Sequence, residues 1–72
     1  MSYQQVLKKL GNNIRRIREK KKMSKKELSN LIGINAGYLG QVEKGGRNIT
    51  LGYLIKISKG LNVDLANLHK GV

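Results

Sequence analysis

Cysteine, proline, tryptophan and phenylalanine are all missing from this 72-residue chain, and it has only four acidic residues and one histidine. Without cysteine there is neither a disulfide nor a thiolate metal site, a composition suited to a reducing cytosol. No apolar run approaches the ~20 residues of a membrane span, and the N-terminus lacks the long apolar core of a signal peptide. A cytoplasmic location away from membranes is therefore expected. Catalysis is equally short of material. His69 lies in the last few residues, and Glu27 and Asp64 read as helix caps, so no nucleophile–base set and no metal cluster can be assembled. The expectation is a non-enzyme with no cofactor, no metal and no evident small-molecule ligand.

What is present is positive charge. Fifteen Lys and Arg against four Asp and Glu give a net charge of +11. Such a chain repels itself unless a polyanion neutralises it, and nucleic acid is the first partner implied, ahead of acidic membranes and acidic proteins. The length allows one domain, residues 1–72, held by helix packing of Leu, Ile and Val and aided by dimerisation.

The apolar spacing is helical throughout. Leu7, Leu10, Ile14 and Ile17 form one stripe. Ser2 and Gln5 stand at capping-box positions before it, but Gly11 inside it costs about 1 kcal/mol relative to Ala. The helix therefore starts either at Ser2 or near Gly11, with 2–10 frayed. Ser24 and Glu27 form a second capping box, opening a helix from Lys25 to about Ile32 with Leu28, Leu31 and Ile32 on its apolar face. Gly33 ends it. Asn35 caps a helix from Ala36 to about Lys44 that buries Leu39 and Val42 and stops at Gly45 and Gly46. Thr50 caps a fourth helix, Leu51 to about Lys59, which Gly60 ends. Leu61 and Val63 then read as extended and buried, Asp64 caps a short fifth helix with Leu65 and Leu68, and His69–Val72 reads as a loose tail. The fold class is all-α, with five helices.

Helix, sharp turn and helix within residues 24–45 make the unit that lays its second helix in a DNA major groove. The order of parts resembles the lambda-repressor-like helix-turn-helix domain of the xenobiotic-response-element (XRE) regulators, over about residues 8–69. Lys25 falls at the motif's first position, Ser29 at its small buried position, Gly33 at the turn, and Leu39 and Val42 at the buried positions of the recognition helix. The phrases IRRIREKKKMS and GLNVDLANL match the family's first and last helices. QVEKGGRNITL is most similar to the small controller proteins of restriction–modification systems and to phage and mobile-element repressors.

The resemblance implies a sequence-specific transcriptional regulator, a repressor or controller, binding double-stranded DNA as a homodimer on a two-fold symmetric operator. Base-reading positions of the recognition helix hold Ala36, Gly37, Tyr38 and Gln41. Ala36 and Gly37 offer little more than a methyl contact with thymine, which leaves Gln41 as the best reader, through bidentate pairing with adenine. A phosphate clamp is expected from Lys25 and the backbone amides near Asn35 on one side, and from Lys44, Arg47, Asn48 and Thr50 on the other. The resemblance further implies a structural ion pair between Arg18 and Glu43, and a dimer surface around Asn62, Val63, Leu65 and Leu68. Two other readings share this pattern: an antitoxin of a toxin–antitoxin pair, and the excised DNA-binding half of a longer regulator. A cationic membrane-surface peptide fits poorly, because the apolar residues are divided among five capped segments.

Overall fold

Capped helical segments alternate with short turns in the computed structural model, which describes residues 2–72: α1 Tyr3–Lys20, α2 Lys25–Ile32, α3 Ala36–Glu43, α4 Leu51–Leu61 and α5 Leu65–Leu68. No strand occurs among the described residues. Side-chain caps set most of the starts. Ser2 Oγ accepts from the Gln5 amide at 3.2 Å while Gln5 Oε1 accepts from the Ser2 amide at 2.9 Å. Of the two starts left open by the sequence, α1 thus takes the early one. Gly11 does not break it. It is buried where α1 meets the end of α3, and a Cβ there would overlap the Val42 carbonyl oxygen and stand 2.6 Å from that of Glu43. The glycine lets two backbones touch, which offsets its poor helix propensity.

A similar contact corrects the end of α4. Gly60 is helical and packs on α2, where a Cβ would overlap Ile32 Cγ2 and stand 3.0 Å from Leu28 Cδ1. The left-handed cap falls instead on Asn62, at φ 57°. Leu61 is accordingly a helical core residue, not an extended one. Asp64 holds the N-cap position of α5 but makes no side-chain capping bond.

The core joins Leu10 and Ile14 of α1, Leu28 of α2, Leu39 and Val42 of α3, Leu54, Ile57 and Leu61 of α4, and Leu68 of α5. Each such side chain contributes roughly 1.5–3 kcal/mol on burial. Leu31 is not among them. It is 64% exposed, against its expected place on the apolar face of α2, and Leu51 at the start of α4 is 61% exposed. Nor is the tail loose. Buried Asn13 donates through Nδ2 to the carbonyls of Leu68 at 3.0 Å and Lys70 at 2.9 Å, fastening the end of the chain to α1.

Candidate nucleic-acid interface

The unit α2–turn–α3 is built from local chemistry. Ser24 Oγ accepts from the Glu27 amide at 3.0 Å and Glu27 Oε1 accepts from the Ser24 amide at 2.8 Å. Hydrogen bonding from Ser24, its backbone amide first, holds the Glu27 carboxyl below its usual range. Gly33 takes φ 73° at the end of α2, a left-handed conformation that costs glycine nothing. The Ile34 amide then donates to the Ser29 carbonyl at 2.9 Å. Ser29 is 1% exposed, with its hydroxyl donating to the Lys25 carbonyl at 2.7 Å, so its small side chain is both packed and satisfied.

Leu39 and Val42 face inward from α3, which leaves Ala36, Gly37 and Gln41 exposed and Tyr38 and Gly40 half-buried. The Lys25 side chain lies along this helix, with Cδ and Nζ both 3.8 Å from where a Cβ of Gly40 would stand. Its ammonium is thereby set beside the middle of α3. The Gly37 and Tyr38 amides donate to Asn35 Oδ1 at 2.7 and 3.2 Å. Asn35 itself therefore already satisfies two of the backbone amides at the start of α3.

The second half of the expected clamp is more organised than a flexible turn. Gly45, at φ 76°, packs against the α1 backbone, where a Cβ would stand 2.8 Å from Lys8 Cα. Lys44, Arg47, Asn48 and Thr50 are all exposed. Arg47 Nε donates to Gln41 Oε1 at 2.7 Å, and its guanidinium lies 5.6 Å from the Tyr38 ring centroid. Tyr38 packs against Tyr53 with centroids 5.1 Å apart and ring planes tilted by 45°, and its hydroxyl donates to the Asn48 carbonyl at 3.4 Å. The Tyr3 hydroxyl donates to Asn48 Oδ1, tying the first turn of α1 to the same loop. Thr50 accepts from the Tyr53 amide at 3.2 Å as the cap of α4, keeping its hydroxyl hydrogen available as a donor.

Gln41, Arg47, Tyr38 and Asn48 are thus joined in one bonded patch. Sequence reasoning named all four but did not pair them, and it overlooked Tyr3, Tyr53 and Asn13. Only Asn13 left a trace, as a polar residue at core spacing beside Leu10, Ile14 and Ile17.

Behind the exposed face, Arg18 and Glu43 lock α1 to α3. Nε donates to Glu43 Oε2 at 2.7 Å and Nη2 to Oε1 at 3.0 Å, while Nη1 donates to the Met23 carbonyl at 2.8 Å. The two side chains are 8% and 3% exposed. The Glu43 carboxylate raises the Arg18 pKa further, keeping the buried guanidinium charged. At the expected dimer surface, Asn62 is exposed and Val63 and Leu65 are half-buried, but Leu68 is fully buried. Leu68 cannot offer its side chain to a partner, because it is packed in the protomer's own core.

The pattern of the helix-turn-helix family matches residues 14–68. The control protein C.SmaI of Serratia marcescens is 36% identical over 59 residues, which is 82% of this chain and 70% of that protein. The restriction–modification controller protein C.AhdI from Aeromonas hydrophila superposes with a TM-score of 0.85 at 34% identity, covering 86% of this chain and 94% of that one. The controller protein C.Esp1396I, solved as a tetramer in complex with its natural 35 base-pair operator, superposes with a TM-score of 0.82 at 29% identity, over 90% of this chain and 86% of that one. With the family pattern spanning most of its length, from the middle of α1 to the end of α5, the chain belongs to the helix-turn-helix family.

Proposed function

We propose that this chain is a DNA-binding transcriptional regulator of the controller type, acting in the cytoplasm by binding rather than catalysis. The observation that carries the reading is the outer face of α3, which is exposed, low in side-chain bulk at Ala36 and Gly37, and flanked by Lys25, Lys44 and Arg47. A face with little bulk and a cationic rim can approach a groove floor while its edges meet phosphates. Lys25, Lys44, Asn48 and Thr50 are the proposed phosphate contacts, with Asn35 presenting the start of α3. The operator complex of C.Esp1396I supports the same mode of use for this chain.

One short recognition helix reads few base pairs, so the chain is proposed to bind a two-fold symmetric operator as a homodimer, with half-sites about one helical turn apart. Asn62, Val63 and Leu65 remain the proposed dimer surface. Leu51 and Ile55, exposed and four residues apart on α4, add apolar area available to a partner. Selection of bound sites from a random pool of duplexes tests the whole reading. The expected result is a symmetric motif with one fixed spacing. Recovery of sequences without any shared motif would remove the specific-regulator function.

A further inference from the structure

Arg47 is exposed in the loop after α3, yet it is held in two ways. Its Nε–H donates to Gln41 Oε1 at 2.7 Å, and its guanidinium lies over the Tyr38 ring. Tyr38 is itself held by its tilted contact with the Tyr53 ring and by its bond to the Asn48 carbonyl. A free arginine side chain loses much rotamer entropy when it is ordered by a ligand; restraints from α3 and its tyrosine remove part of that cost beforehand. These restraints engage Nε and one guanidinium face. Nη1 and Nη2 have no hydrogen-bond partner among the described residues. They form the edge that grips two acceptors side by side.

The pairing also changes what Gln41 can read. An unpaired glutamine recognises adenine by accepting from N6 and donating to N7. Here the amide oxygen already accepts from a cation, and that cation stands next to any base the amide reaches. Adenine would bring its N6 amino group, a donor, up against a full positive charge. Guanine presents O6 and N7, both acceptors, and matches the two free guanidinium nitrogens. We infer that Gln41 and Arg47 form a single base-reading unit selective for guanine, in which Gln41 is a positioning residue and Arg47 makes the base contact. This rests on the DNA-binding function proposed above and specifies what that site recognises.

The test uses the whole chain and duplexes carrying the selected operator with each base pair varied in turn, alongside an unrelated duplex, at one fixed salt concentration. Wild type is expected to prefer guanine over adenine by about tenfold or more at one position per half-site. Gln41→Ala and Arg47→Ala should each lower that preference at the same position, and the double variant should lose no more than either single one. Arg47→Lys keeps the charge but not the fork, so it should lose the guanine preference while still binding the unrelated duplex. Thermal melting confirms that each variant is folded, which is expected because both side chains are exposed. Selection of adenine at that position overturns the inference. So does a Gln41→Ala variant with its guanine preference intact, or additive losses at two different base pairs. A wild type that binds all duplexes alike overturns the regulator function itself, and this unit with it.

Discussion

Burying an arginine in so small a protein is costly unless a carboxylate meets it with good geometry, and Glu43 does so through two hydrogen bonds at 2.7 and 3.0 Å. The Met23 carbonyl takes a third. The pair joins the C-terminal part of α1 to the last residue of α3, so it holds the recognition helix without touching anything outside the protein. Glu43→Ala would leave Arg18 charged, buried and unpaired, at a cost of roughly 3 kcal/mol. In a domain of this size that lowers Tm by roughly 12–24 °C. Calorimetry or circular dichroism checks it, and unchanged melting would show that the pair carries no stability. The site preference of the fraction that remains folded should be unaltered. Composition could not have separated Arg18 from its neighbours, because it stands in a run of six cations among eight residues from Arg15 to Lys22. Its partner 25 positions away was indicated by family resemblance alone.

At the scale of elements, the caps were legible because they are local. Ser2, Ser24, Asn35 and Thr50 each bond an amide two or three residues ahead, and a short stretch of sequence contains both partners. What lies across a helix interface leaves no such mark. Gly11 and Gly60 looked like a break and a stop, whereas both are contacts with another helix. Leu31 and Leu51 carry the apolar signal of core residues and yet face outward. The Gln41–Arg47 bond was hidden for a related reason: six residues apart, the two meet only because the loop folds back along α3. Two glycine substitutions expose the difference. Propensity alone says that Gly→Ala inside a helix gains up to about 1 kcal/mol. At Gly52 the nearest obstacle to a Cβ is Thr50 Oγ1 at 3.7 Å, so Gly52→Ala should stabilise by about 0.5–1 kcal/mol. At Gly11 the obstacle is the α3 backbone, which cannot rotate away. Gly11→Ala should destabilise by about 3 kcal/mol or more, pushing α1 off α3. Urea unfolding of both variants decides the matter, and equal gains at the two positions would mean that the α1–α3 contact is looser than described.

For the whole molecule, charge dominates. A dimer doubles +11 and brings two cationic bodies together over a modest apolar surface, so DNA is expected to favour the assembled state as much as the protein favours DNA. The same charge fixes how binding responds to salt. If each protomer neutralises about six phosphates, counterion release sets a log–log slope near −5 per protomer, and raising salt from about 50 to about 200 mM weakens binding about a thousandfold per protomer. Sequence preference follows a different rule, because base contacts release few ions. Lys25→Ala and Lys44→Ala should each flatten the slope by about 1 and leave the preferred sequence unchanged. Gln41→Ala should do the reverse, keeping the slope and losing discrimination at its one base pair per half-site. Anisotropy titrations across a salt series measure both quantities on the same samples. A wild-type slope shallower than about −2 would mean that the cations around α3 do not meet the backbone, and the excess charge would then need another partner to explain it.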